Sequence, residues 1–287
     1  MIWVRNHWIW LVGAGLLLAL YLYLVFRPQE LTVSHYEVAA KVAAPLRIVQ
    51  LSDLHSAEFG PENDDLVELV AAQEPDLIAM TGDMLSRFDK SYDVVTALIS
   101  RLTEIAPVYY GLGNHEVTWQ YADASLAEVF TKAGATVLEC EYADVEIKGV
   151  PLRIGGFFGY YGFTHMSGET EERKQVEQRF FDTFTKTKRY KILLNHIPTQ
   201  WLDWHHLDEW NQDLIFSGHY HGGQIYLPLL NRGLIAPYVG FFPKYTKGCF
   251  VGQQGTCVLS AGLGNEYWLV PRINNPPELV VVDLIPE

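Results

Sequence analysis

Five short clusters in this 287-residue chain carry residue types able to bind metal ions or move protons: Asp53-Leu54-His55, Gly82-Asp83, Gly113-Asn114-His115-Glu116, Asn195-His196 and Gly218-His219-Tyr220-His221. Each follows an apolar run that reads as a buried strand, the first being Leu46 to Leu51, LRIVQL. A single Asp-x-His at a strand end is a common solvated turn and carries little information. Five clusters at five strand ends carry much more, because loops at the carboxyl ends of strands in an α/β sheet converge on one crevice. Together they offer two carboxylates, one amide oxygen and several imidazoles without thiolate. That donor set suits manganese, iron, zinc or magnesium rather than copper or an iron–sulfur cluster.

The chain between the clusters supplies the elements that position them. After LRIVQLS, the acidic Pro61-Glu62-Asn63-Asp64-Asp65 suits a helix start and LVELVAAQ continues at helical spacing. Strand DLIAMTG, helix VVTALISRL, strand PVYYGLG and helix ASLAEVFTKAG follow, a rhythm that predicts a largely parallel sheet with covering helices. From Thr136 the segments shorten into TVLEC, DVEIKG and LRIGGFF, which predicts antiparallel pairing on a second sheet. A charged, helix-like stretch from Glu169 to Phe184 precedes strand YKILLNH, a tryptophan-rich connection, strand DLIFSGH and strands around TCVLSAG and ELVVVDL. No domain boundary or internal repeat interrupts residues 46–287, expected to form one domain after a linker and first-strand region at 28–45.

Residues 1–27 pose a different solvent problem. From Asn6 to Phe26 there is no charge, and LVGAGLLLALYLYLVF is apolar on every side, enough to cross a bilayer as a helix, with tryptophans at one end and tyrosines at the other. An uncleaved anchor is expected, with a cleaved signal as its rival. Arg27, Lys41 and Arg47 outnumber Arg5, so the positive-inside tendency places the large domain in the cytoplasm. Beyond the first 27 residues the chain holds 19 basic and 34 acidic residues, a net of −15 that argues against nucleic acid as a partner. Cys140, Cys249 and Cys257 lack metal-site spacing and are expected as reduced thiols, a Cys249–Cys257 disulfide being the lesser reading.

The ordered series D-x-H, G-D, G-N-H-E, H and G-H-x-H, with GHYHGGQIYLP and the closing SAGLG…VPRINNPPEL, resembles the calcineurin-like metallophosphoesterase superfamily. The closing words look like its branch that carries an amino-terminal hydrophobic segment. The resemblance implies an α/β fold of four αββα layers, a β-sandwich flanked by helices, beside the single membrane helix. Carried over by position, it implies that Asp53, His55 and His221 bind one metal, that Asp83 bridges two, and that Asn114, His196 and His219 complete the second site. Two divalent ions, manganese foremost, would be the cofactors. A shared carboxylate can hold them roughly 3.5–4 Å apart, where a bridging water is acidified and attacks phosphorus in line. His115 would be the acid or electrophile at the leaving group, and Glu116 either its orienting partner or a helix-start residue. Ser86 stands where many relatives have a second Asp, so the support around the metals is expected to differ.

The remaining histidines invite blander readings. His7 is expected at the membrane interface and His35 at the surface; His165 lies in a glycine- and aromatic-rich loop. His205 and His206 sit in WLDWHHLDEW, expected to pack its tryptophans on the domain or the membrane surface. Ile225 to Gly248 is apolar without regular period and reads either as a buried irregular loop or as a rim that meets lipid or acyl chains. Arg232, Lys244, Lys247 and above all Arg272 are candidates to face a phosphate. The function expected is hydrolysis of phosphodiesters or pyrophosphates on a lipid-linked or cell-envelope substrate. A UDP-2,3-diacylglucosamine pyrophosphatase is the specific alternative, and a scaffold without catalysis the alternative of another class.

Overall fold

The computed structural model describes residues 2–27, 29–123, 125–158, 171–237, 239–266 and 270–287. Two six-stranded sheets face each other. In spatial order the first holds Thr32–Ala40, Glu278–Pro286, Leu46–Leu51, Leu77–Met80, Val108–Gly111 and Thr136–Leu138. The second holds Gly248–Val251, Thr256–Leu259, Leu214–Ser217, Tyr190–Leu194, Val150–Gly156 and Glu141–Ile147.

The strands are apolar on both faces because both faces are covered, and successive residues serve different layers. Leu46, Ile48, Leu77 and Ala79 point toward the opposing sheet, where they meet Leu152, Ile154, Ile192, Leu194, Leu214, Phe216 and Val258. Their neighbours Val49, Leu51, Ile78 and Met80 point outward to an outer helical layer. In that layer helix Asp93–Thr103 buries Val95, Leu98, Ile99 and Leu102 at helical spacing, and Leu66, Val70, Leu126 and Phe130 join from two flanking helices. On the far side Phe180, Phe181 and Phe184 of helix Glu171–Phe184 cover Leu193, Ile215 and Leu259. The result is the expected order of helix, sheet, sheet, helix.

Two expectations about the sheets need correction. Thr136–Leu138 belongs to the first sheet, parallel to Val108–Gly111, because helix Leu126–Lys132 carries the chain back across the sheet before it starts. The second sheet is also mostly parallel, since connections with a helix or a long loop separate Val150–Gly156, Tyr190–Leu194, Leu214–Ser217 and Thr256–Leu259. Its antiparallel pairs are those at its two edges. Glu141–Ile147 turns into Val150–Gly156 through Lys148 and Gly149, both at positive φ as a two-residue hairpin requires. The other edge strand, Gly248–Val251, runs antiparallel to Thr256–Leu259.

Within residues 28–45 the strand Thr32–Ala40 lies parallel to Glu278–Pro286. Helix Ile2–Phe26 contains a 19-residue apolar span, Trp8–Phe26, long enough to cross a membrane and not buried within the rest of the chain. Cys140, Cys249 and Cys257 form no disulfide. His165 lies outside the described residues. Phe216→Ala, at the contact between sheets, is expected to lower the unfolding free energy by about 3–5 kcal/mol, measured by urea titration of the full chain in detergent.

Candidate metal centre

The two sheets present the carboxyl ends of their central strands at one edge, and the five clusters meet there. Asp53, His55, Asp83 and Asn114 come from the first sheet, and His196, His219 and His221 from the second. The ladder continues past the strands: Asp53 N donates to Gly82 O at 3.0 Å, His55 N to Asp83 O at 3.0 Å and Ser56 N to Met84 O at 2.8 Å. In these turns the backbone leaves ordinary strand conformation. Asp53, His55, Asp83, His219 and His221 all lie at φ between 47° and 70°, a left-handed region costly for residues with a Cβ. Such local strain at five of the seven candidate ligands turns their side chains toward a common point.

Close approach explains two of the glycines. A Cβ on Gly113 would stand 2.2 Å from Asp83 Oδ1, and one on Gly218 would stand 2.0 Å from Ser52 Oγ and 2.2 Å from Asp53 Oδ2.

Asp53, His55 and His221 form one group of buried side chains whose ligand atoms lie within 4.8 Å of one another, and Asp83, His196 and His219 form a second. Nitrogens face nitrogens, His55 Nε2 to His221 Nε2 at 3.4 Å and His219 Nδ1 to His196 Nε2 at 3.2 Å, as lone pairs converging on a shared cation would. His196 Nδ1 lies 2.8 Å from the Thr81 carbonyl, which accepts its proton and leaves Nε2 facing Asp83 Oδ2 at 3.0 Å. His219 N donates to Asp53 Oδ1 at 3.0 Å, and His115 N to Asp83 Oδ1 at 2.8 Å. Asn114 Oδ1 is buried with no hydrogen-bond partner among the described residues. An unpaired buried acceptor costs about 1–3 kcal/mol, and a cation would supply its missing partner. The donor set therefore fits two divalent ions.

The protonation states agree. Burial holds His55 and His219 down at about 3 and pushes His221 well below the ordinary imidazole range, so each is neutral with a lone pair to give. For His196, burial works against the proton, but the Asp83 and Asp53 carboxylates overcome it and raise the group to about 9. Burial, with help from the Asp83 charge, lifts Asp53 to about 6 against the pull of His196. Asp83 stays well below the usual carboxylate range because the imidazoles, His196 first, outweigh its burial.

Several supporting residues emerge only in three dimensions. Glu116 does not orient His115. Its carboxylate accepts from the backbone N–H groups of Asp83, Met84 and Gly113 at 2.8 Å and of Leu85 at 3.1 Å, and from Tyr110 Oη at 2.9 Å. It clamps the Asp83 turn to the start of its own helix. The carboxylate beside His115 is Glu266, whose Oε1 lies 3.4 Å from His115 Nε2 and also pairs with Arg87. Its position directly after the closing SAGLGN segment was the available signal. Ser86 donates its backbone N–H to Asp89 Oδ2 at 2.7 Å, and Asp89 also receives Ser56 Oγ, so a carboxylate still ties these two turns together.

Arg272 is buried beneath His221. Its Nε and Nη2 donate to the carbonyls of Gly264 and Ala261 at 2.7–2.9 Å, binding the loop that covers Asp53. Lys247 pairs with Glu278 at 3.3 Å, while Arg232 and Lys244 are exposed. His35 is exposed, and His205 and His206 join neither ligand group. Trp201 is fully buried and Trp210 stacks on His206, so this tryptophan loop packs on the domain.

Comparison with known proteins bears on the same residues. Residues 46–223 match the calcineurin-like phosphoesterase family. An uncharacterised metallophosphoesterase of Aquifex aeolicus is 31% identical over 83% of this chain and 85% of its own. The uncharacterised metallophosphoesterase YkoQ of Bacillus subtilis is 28% identical, covering 82% of each chain. The phosphodiesterase YaeI of Escherichia coli is 27% identical over 85% of this chain and 83% of its own.

Metal binding is expected to expel the proton held by His196. Since that group titrates at about 9, apparent affinity should fall about tenfold per pH unit below it, and more steeply below about 6 where Asp53 takes up a second proton. Titration of the metal-stripped protein in weakly buffered indicator dye checks this; affinity independent of pH between 6 and 8 would contradict it.

Proposed function

The chain belongs to the calcineurin-like phosphoesterase family of metal-dependent phosphoester hydrolases, and from that footing we propose that it cleaves phosphodiester or pyrophosphate bonds in a membrane-associated substrate. The observation that carries the reading is the pair of buried ligand groups, Asp53-His55-His221 and Asp83-His196-His219, at one sheet edge. In this reading Asp83 would hold both ions and Asn114 would complete the second group. Two divalent ions there would supply Lewis acidity to the phosphoryl oxygens and an acidified water as nucleophile.

The chain's own residues do the rest. Asp53 and Asp83 set the negative charge that recruits the ions. His55, His219 and His221, held neutral, orient them, and the Glu116 clamp fixes the Asp83 turn. His115, buried within 3.9 Å of Asp83 Oδ2 and 3.4 Å of Glu266, stands where a proton can be given to a departing oxygen. In this reading the charge of the Glu266 carboxylate, 3.4 Å from Nε2, holds the ring in that orientation.

Two observations favour a membrane substrate. Trp8–Phe26 is read as a membrane anchor, which keeps the domain beside a bilayer. A groove at the end of that helix is lined by Leu24, Val25, Ala57, Phe59, Pro271 and Arg272, so the anchor ends against the loops that flank the ligands. Arg27, Lys41 and Arg47, against Arg5 alone before the span, favour the cytoplasmic face for the domain.

Asp83→Asn is expected to lose one ion per chain and to lower turnover by at least about 100-fold, as loss of a bridging ligand should. The check is elemental analysis paired with assays on lipid-linked diesters, UDP-diacylglucosamine and soluble monoesters after manganese loading. Full activity in Asp83→Asn, or equal activity in chelator-treated protein, would sink the proposal; preference for soluble monoesters would remove the membrane substrate alone. Glu266→Ala should lower kcat by about 10- to 100-fold with metal content kept, the usual effect of losing a residue that orients a functional histidine. Glu266→Asp should restore part of it.

A further inference from the structure

Beside His221 lies a cavity of about 560 Å³ that no step of the reaction uses. Its walls are Ile235, Ala236, Pro237, Val239 and Val270, with His221 and Gln224 at the end nearest the ligands. Gln224 is not available to a polar ligand through its amide nitrogen: Nε2 donates to Asn265 Oδ1 at 2.8 Å and to Val270 O at 2.6 Å. A volume within the roughly 300–1,000 Å³ of small-molecule sites, walled by aliphatic groups and touching a candidate metal ligand, suits the hydrocarbon part of a substrate whose phosphorus sits at the ligands.

The surroundings indicate where that hydrocarbon comes from. Ile225 to Gly248, far from being a buried loop, forms short hairpins, Tyr226–Leu227 with Arg232–Gly233 and Ile235–Ala236 with Gly240–Phe241. They leave Leu229, Leu230, Phe241 and Phe242 in solvent, Leu229 at 101% exposure and Phe241 at 70%. Ile235, Val239 and Val270, at the cavity wall, are themselves more than a third exposed. An apolar patch of this kind is costly in water and comfortable in lipid. The wall also adjoins the anchor: Val270 lines the cavity, while the next residues, Pro271 and Arg272, line the groove against Leu24 and Val25 at the end of the membrane-length helix.

We infer that the cavity between Ile235, Val239 and Val270 is an acyl-chain subsite, which draws one hydrocarbon tail of a lipid phosphodiester or pyrophosphate out of the bilayer and so presents its phosphorus to the metal ligands. The inference rests on the phosphodiesterase reading and adds to it the part of the substrate that confers selectivity. Within this inference the exposed hairpin residues and the groove at the end of the anchor mark the tail's route from lipid to the cavity.

The test uses the full chain in detergent, loaded with manganese, and p-nitrophenyl alkyl phosphodiesters bearing ethyl, octyl or hexadecyl groups, each releasing p-nitrophenol. For the wild type, kcat/KM is expected to rise at least about tenfold from the ethyl to the octyl ester, given the favourable transfer of each buried methylene. Val239→Asp and, separately, Ile235→Asp should cut the octyl-to-ethyl ratio about tenfold, while Val239→Leu keeps it; metal content reports whether each variant is folded. A wild-type ratio near unity, or a ratio unchanged in both aspartate variants with metal retained, would overturn the acyl subsite. Failure of the metal-loaded wild type to cleave any of the diesters would instead overturn the phosphodiesterase reading, and the subsite with it.

Discussion

The structure turns on the burial of two carboxylates, Asp53 and Asp83, at one end of a closed sandwich. Taking an anionic group out of water costs several kcal/mol unless positive charge or hydrogen bonds replace the lost hydration. Around this pair the chain supplies backbone N–H groups from His115 and His219, a proton on His196 and neutral imidazoles on His55, His219 and His221. The remaining demand is for a multivalent cation. Much else near this edge serves to make that concentration of charge tolerable.

Backbone geometry is where the demand is met. Residues with side chains in the left-handed region cost about 1–2 kcal/mol apiece, and five ligand positions accept that cost. They are held by neighbours that leave them no alternative: the Glu116 carboxylate on four backbone N–H groups, the Asp89 carboxylate joining two turns, Arg272 under the loop that covers Asp53, and Asn275 under the turn that carries His221. Beneath them Gln50 reaches between the sheets, donating to Thr81 Oγ1 and to the Ser217 carbonyl at 2.9 Å. The site is thus fixed from below by both sheets at once, which suits a centre that must keep its ligands aligned before a substrate arrives.

What could be read from the sequence follows from the range of the interactions involved. A candidate ligand at a strand end announces itself locally, because the apolar run and the polar residue after it are contiguous; the gathering of the seven candidates at one sheet edge was legible for that reason, and so was the layering, written in alternation such as Ile48 against Val49. Sheet membership of Thr136–Leu138 was not, since three short residues look the same in either sheet and only the preceding crossover decides. Of the two roles open to Glu116, the helix-start one holds, while the carboxylate beside His115 is Glu266, 151 positions away in sequence and brought there only by tertiary placement. The apolar stretch from Ile225 lacked a period because its residues line a cavity and a surface rather than a strand or helix face, and pattern reading has no template for that.

Thr32–Ala40, the strand that follows the apolar helix, pairs along its length with Glu278–Pro286, and that last strand in turn separates it from Leu46–Leu51. The first strand of the domain therefore has no docking place until Glu278–Pro286 has been made. During synthesis the chain must mature while its earliest sheet position stays open, and only the arrival of Glu278–Pro286 lets the sheet be sealed. Truncation within Glu278–Pro286 would leave the domain unfinished at this seam, so closure of the first sheet waits on a pairing between strands far apart in the chain.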